Sequence, residues 1–232
     1  MKVVGIIPAR FESTRFPGKP LAKIKGKSMI QRVYEQCKKS KQLSDVVVAT
    51  DDERIYHHIK SFSGKVVMTN KKHLTGTERC NEAAQSMNID ADIIINIQGD
   101  EPFINPNQIN ELVDLFENEN TEIGTLAKKI KSNKLLNNPN NPKAIFDKNR
   151  NAINFCRNIE SPKKNTVYYK HIGIYGFRKS ILTKLCALKE TKNEKRERLE
   201  QLRWLDNNYK IKVGITSYES QSIDTPQDIE KI

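Results

Sequence analysis

Arg10, Arg15 and Lys19 lie close together in the segment IIPARFESTRFPGKPL, residues 6–21. Gly18 within it lets the backbone approach a ligand closely. Three cations in one loop can hold a triphosphate: the arginine fork suits phosphate oxygens, and positive charge offsets what builds up as pyrophosphate leaves. A solvated basic loop fits the same composition, and the Walker pattern of phosphate-binding loops is absent. Asp100, in IINIQGDEP (94–102), stands where an apolar run ends. Mg²⁺ takes one or two protein carboxylates plus phosphate oxygens and water, so a second acid would complete a metal site. Asp224 is a candidate for it. A turn or capping role suits Asp224 as well, and Glu101 could replace Asp100 on physical grounds alone.

The elements that must position these residues alternate in type. VVGIIPAR (3–10) reads as a buried strand that enters a loop at its proline. Met29, Ile30, Val33, Tyr34 and Cys37 recur at helical spacing, giving an amphipathic helix from Lys27 to near Ser40. A strand at 45–50, a helix at 53–62, a strand at 65–69 and a helix at 77–87 follow. The apolar core of 91–102 reads as a central strand, and 106–118 as a helix with Asn105 as N-cap and Pro106 at its first position. Such alternation implies right-handed crossovers and an open, parallel sheet, whose ligands bind beyond the carboxyl ends of the strands. Residues 132–142, rich in Asn and Pro, read as a loop. Beyond it come strand-like stretches in 143–147 and 166–178, a charged helix over 194–206 and a strand at 212–217. A last helix is opened by Thr225 as N-cap and Pro226.

At 232 residues the chain can bury one large α/β core, and a single domain is the default. Hydrophobic residues at 37% and charged residues at 29% suit a globular protein. No apolar run nears the roughly 18 residues needed to cross a membrane. The opening MKVVGIIPAR is too short and too soon interrupted for a signal peptide, so a cytoplasmic setting is expected. The four cysteines form no C-x-x-C pair and the four histidines lack ligand spacing, which disfavours disulfides and transition-metal sites. A net charge of +12 raises a nucleic-acid reading. The lysines are dispersed and no aromatic residues are interleaved with a basic cluster, which disfavours it.

The chain resembles the 3-deoxy-manno-octulosonate cytidylyltransferases, or CMP-Kdo synthetases, of Gram-negative lipopolysaccharide assembly. The resemblance is carried in family order by residues 6–36, VVVATDD (46–52), HLTGTER (73–79), NIQGDEP (96–102), HIGIYGFR (171–178), LEQLR (199–203) and IDTPQDIE (223–230). It implies an open, mainly parallel α/β sheet of Rossmann-like nucleotidyltransferase type with a smaller mixed subdomain. The whole of 1–232 would form one cytidylyltransferase domain, with about 132–190 as a subdomain or dimerisation region. The implied reaction transfers CMP from CTP to Kdo with Mg²⁺, in a cytoplasmic homodimer that needs neither nucleic acid nor membrane.

The same resemblance implies that Ala9, Arg10, Arg15, Lys19, Thr77 and Arg79 meet the nucleotide, and that Asp100 and Asp224 hold the metal. Lys19, Asp100 and Asp224 would be the catalytic group. Gln98, Arg157, His171, Glu200 and Gln201 would meet the sugar. The chain departs from the family in reading CRNIESP where S-R-A-x-I-P is usual, and in carrying Arg196 and Pro142 at usually apolar positions. An 8-amino relative of Kdo or a nonulosonate is an alternative sugar, and a basic nucleic-acid-binding protein is the remote alternative.

Overall fold

The structure is a computed structural model that describes residues 1–232 except 13–15, 164–165 and 220. The chain folds into two compact units, residues 1–110 with 219–232, and residues 111–218. The stretch 132–190 lies wholly inside the second unit.

In the first unit, β1 (Val3–Ala9) is buried along most of its length. A short hairpin, β2 (Lys23–Ile24) and β3 (Lys27–Ser28), leads into α1 (Met29–Cys37). Ser28 caps α1 by accepting from the Gln31 N–H at 3.2 Å, and Met29, Ile30, Val33, Tyr34 and Cys37 form its buried face. Then follow β4 (Asp45–Thr50), α2 (Glu53–Ser61), β5 (Val66–Met68), α3 (Gly76–Ser86), β6 (Ile93–Asn96) and α4 (Pro106–Asp114), within which the boundary between units falls. β1 pairs parallel with both β4 and β6, and β4 pairs parallel with β5, as the alternation of strands and helices requires. The carboxyl ends of these strands therefore face one way. A final helix, Pro226–Glu230, belongs to the same unit and follows Thr225.

The second unit is mixed. β7 (Ile123–Lys129) runs antiparallel to β10 (Tyr169–Arg178) and parallel to β11 (Ile211–Ile215). β8 (Lys143–Phe146) and β9 (Ala152–Cys156) form an antiparallel hairpin, and β8 also pairs with β10. The helices α5 (Asn133–Leu136), α6 (Lys179–Cys186), α7 (Lys192–Glu197) and α8 (Gln201–Asp206) complete it.

Two sequence expectations are corrected here. The loop expected over 132–142 contains α5, started by the Ser132 hydroxyl accepting from the Leu135 N–H. The single helix expected over 194–206 is two, because the chain turns at Arg198, which adopts a left-handed φ of 54°. A buried bidentate pair joins Glu194 and Arg203 at 2.8 and 2.6 Å. In one continuous helix residues this far apart would be separated by about 13 Å, so the pair demands the break.

Trp204 is the chain's one tryptophan and is 1% exposed, edge-on to Tyr175 at 5.1 Å and to Phe177 at 5.2 Å. Trp204→Ala should destabilise the protein by about 3–5 kcal/mol, the cost of an aromatic-sized cavity, measured by urea denaturation followed by circular dichroism.

Candidate active site

In the first unit a pocket of about 250 Å³ opens beyond the strand ends. Its lining includes Ala9 and Arg10 after β1, Gln98 and Asp100 after β6, and Arg79 from α3. Lys19 and Asp224 complete its charged floor. Lys19 Nζ donates to Asp100 Oδ2 at 2.7 Å and to Asp224 Oδ1 at 3.4 Å. The lysine side chain is 13% exposed and the two carboxylates 30% and 39%, so the three charges are only partly shielded from water.

Local structure explains the convergence. Gly18, at φ 71°, turns the chain into the short 3₁₀ segment Lys19–Leu21, and its N–H donates to the Phe11 carbonyl at 2.9 Å. A side chain there would be strained and would press on the Phe11 ring. Phe11 lies under the Arg54 guanidinium, 3.3 Å from its ring centre, and Asp52 holds that guanidinium at 2.9 and 2.7 Å. At Gly99 a Cβ would come within 2.9 Å of the Pro8 carbonyl, so only glycine lets the turn after β6 pack against the end of β1. Asp224 is brought in by the chain's return: the Ile223 N–H donates to the Asp100 carbonyl at 2.9 Å, and Ile223 is buried with Ile24 and Met29. The Asp224 N–H donates to Asp228 at 3.1 Å, which sets the start of the final helix.

Arg79 is 3% exposed and fully engaged on one side, donating to Asp51 Oδ2 at 2.7 Å and to Thr69 Oγ1 at 2.6 Å. The α3 N-terminus beside it is closed by a reciprocal capping box between Thr75 and Glu78. His73, also in the lining, pairs through Nε2 with Glu82. Burial raises the Glu82 pKa, but hydrogen bonds from the Asn70 N–H and from His73 outweigh it and hold the carboxyl below its usual range. Of the residues expected at the nucleotide end, Ala9, Arg10, Lys19 and Arg79 share this pocket. Thr77 is buried in α3 outside the lining, and Arg15 lies outside the described residues. Glu101 is buried and also outside the lining, so Asp100 is the carboxylate this turn presents.

Gln98 lines the same pocket, whereas the other residues expected at the sugar end belong to the second unit. His171 is buried with its ring against Phe155 and Tyr175, at 5.0 and 5.4 Å. Thr125 has one hydroxyl proton and donates it to the Ile174 carbonyl at 2.8 Å, so the His171 Nε2 at 3.0 Å must be the donor to Thr125 Oγ1. That leaves Nδ1 as the acceptor of a neutral ring. Among the described residues the Tyr175 hydroxyl and Gln201 Nε2 have no hydrogen-bond partner, and both are buried. Buried polar atoms left unpaired by protein cost stability. Glu200 immediately precedes Gln201 at the start of α8. The Arg157 guanidinium donates to the carbonyls of Glu197, Pro139 and Arg198.

Sequence reading missed Asp51, His73 and Tyr175. Each lies inside a motif it used, but their roles depend on partners distant in sequence.

The cytidylyltransferase family model matches residues 4–211. A 3-deoxy-manno-octulosonate cytidylyltransferase of Parabacteroides distasonis is 51% identical, with 100% of this chain and 96% of that protein covered. One from Bacteroides thetaiotaomicron is 50% identical over 99% and 96%. The solved structure of a CMP:2-keto-3-deoxy-manno-octonic acid synthetase complexed with CTP superposes with a TM-score of 0.94 at 36% identity, covering 100% and 96%.

Asp51→Ala should lower stability by about 3 kcal/mol, because it leaves the buried Arg79 charge without its carboxylate; the urea midpoint measures it. Burial lowers the His171 pKa to about 3, whereas an unfolded imidazole protonates near 6.5. Between about pH 6.5 and 3 the unfolded chain binds a proton that the folded chain does not, so stability falls as pH falls through that window. Relative to His171→Gln, the wild type should lose up to about 1.4 kcal/mol per pH unit below 6.5 and nothing above pH 7.5, checked by denaturation at stepped pH.

Proposed function

This chain belongs to the cytidylyltransferase family, and from that premise we propose that it transfers CMP from CTP to Kdo, yielding CMP-Kdo and pyrophosphate. The observation that carries this reading is the meeting of Lys19, Asp100 and Asp224 on the floor of a pocket that Arg10 and Arg79 also line. Two carboxylates converge on one cation, the Lys19 ammonium, and among the described residues no group of three or more His, Cys, Asp or Glu residues could hold a metal ion. Two carboxylates completed by phosphate oxygens and water is a donor set suited to Mg²⁺. Asp100 and Asp224 would hold it, and it would supply charge neutralisation on the phosphates and a more acidic sugar hydroxyl.

The transfer is a single in-line displacement. The anomeric oxygen of Kdo bonds to the α-phosphorus of CTP, the bond from that phosphorus to the β-bridging oxygen breaks, and pyrophosphate leaves with the electron pair. The hydroxyl proton passes to solvent. Ala9, Arg10 and Arg79 line the nucleotide end, and Arg10 and Lys19 offset charge on the departing pyrophosphate. Gln98 in the first unit, and His171, Glu200 and Gln201 in the second, are each proposed to contact the sugar. The acceptor Nδ1 of His171 and the unpartnered Tyr175 hydroxyl and Gln201 amide offer hydrogen bonds to a polyhydroxy acid. Catalysis by this set is positioning and electrostatics.

The setting that accompanies this reading is a cytoplasmic homodimer making an activated sugar for lipopolysaccharide, free of nucleic acid and membrane. Exposed Ile145 and Ile153 on the β8–β9 hairpin support a second copy as partner. Among the described residues no helix is long and apolar enough to cross a membrane.

Pyrophosphate release should require CTP, Mg²⁺ and Kdo together. Asp100→Ala should lower kcat roughly 10²- to 10³-fold while circular dichroism stays unchanged, the loss seen when one preorganised electrostatic group is removed. Faster release with the 8-amino analogue would reassign the sugar. No release with either sugar, or a fully active Asp100→Ala enzyme, would overturn the assignment.

A further inference from the structure

Lys143, on β8, is 1% exposed, yet its ammonium has no carboxylate partner among the described residues. It donates instead to two backbone carbonyls, Asn138 at 2.8 Å and Arg157 at 2.7 Å. Burying an ammonium on such terms is expensive, and burial accordingly lowers its pKa. A methionine of similar length would avoid that cost but would release the two carbonyls that the ammonium holds.

Arg157 is held at the other end as well. Its N–H donates to the Glu197 carboxylate at 2.9 Å, and Nε, Nη1 and Nη2 donate to the carbonyls of Glu197, Pro139 and Arg198 at 2.7, 3.1 and 3.3 Å. The Glu197 carbonyl is the last of α7 and that of Arg198 belongs to its C-cap, an end where a helix carries partial negative charge and welcomes a cation. The pair of cations thus ties three segments together: residues 138–139, the end of β9, and the turn from α7 to α8. Arg198 in that turn is a non-glycine residue in the left-handed region, which persists only where its surroundings hold it. Leu199 alone separates it from Glu200 and Gln201.

We infer that Lys143 and Arg157 are positioning residues for the sugar end, acting through the α7–α8 turn to place Glu200 and the unpartnered amide of Gln201. Arg157 acts through the carbonyls it holds, and Lys143 acts by anchoring Arg157. This rests on the proposed role of Glu200 and Gln201 in meeting the sugar acid.

The test is steady-state kinetics on Lys143→Met, Arg157→Met and the double variant, with CTP and Kdo varied separately. Lys143→Met should raise the KM for Kdo by about 10- to 100-fold, the scale of a misplaced binding group, with the KM for CTP within about twofold of wild type. The double variant should be no worse than the worse single one, because both residues hold one turn. Hydrogen exchange of the amides at 199–201, read by mass spectrometry without substrate, should quicken in Lys143→Met. Arg157→Lys, which keeps the charge but loses the fork, should quicken it too and serves if the methionine variants do not fold. A normal KM for Kdo in Lys143→Met beside an impaired Arg157→Met would overturn the inference, making Arg157 a direct sugar ligand. Unchanged exchange at 199–201 would overturn it as well. A wild type that releases no pyrophosphate with Kdo would instead count against the proposed function, and the exchange measurement would still report on the turn.

Discussion

Two carboxylates do not converge in a partly shielded pocket unless a cation joins them. Their repulsion grows as water is excluded, and one would otherwise take up a proton or swing away. Here Lys19 Nζ is that cation, shared between Asp100 and Asp224. The three residues come from the N-terminal loop, the end of the fourth parallel strand and the chain's last segment. Much of the first unit's architecture serves that meeting: the left-handed Gly18 before the lysine, the close approach of Gly99 to β1, and the burial of Ile223 against Ile24 and Met29.

The parallel sheet supplies a common edge at which this can happen. β1, β4, β5 and β6 end in the same direction, and Arg10, Asp51, Thr69 and Gln98 to Asp100 all follow one or another of those ends. Charges placed in this way cannot be aimed by flexible side chains alone. Arg79 shows how aim is secured, for its guanidinium is buried and pinned by Asp51 and Thr69. The cost of holding such a cation still is met by folding.

The second unit uses polarity differently. Beside the buried Glu194–Arg203 ion pair, it holds polar groups that are neutral or directed at backbone carbonyls: His171 is an uncharged ring oriented by Thr125, and Lys143 and Arg157 spend their donors on loop and helix-end carbonyls. Among the described residues, the Tyr175 hydroxyl and Gln201 Nε2 are buried in this unit without a hydrogen-bond partner. Atoms left so are a standing cost to stability, of the kind proteins accept where a ligand completes the bonding.

Local pattern was sufficient for the elements whose apolar periodicity and caps agree. β1, α1, β4 and the final helix behind Thr225 lie where the spacing of their residues places them, and the parallel order follows from strands alternating with helices. β7 escaped because IGTLAKK has little strand character of its own and is held by neighbours on both sides. The break at Arg198 escaped because the leucine spacing runs across it, and it is the Glu194–Arg203 pair that compels the turn. The segments of the site were likewise legible as motifs, and Asp100 at a strand end could be singled out from its position. What only tertiary structure decided was which of Asp100 and Glu101 faces Lys19, that Asp224 joins them, and that Arg157 is occupied by backbone carbonyls. Those facts depend on contacts between residues far apart in the chain, and sequence periodicity records only which face of an element is buried, not what it will meet there.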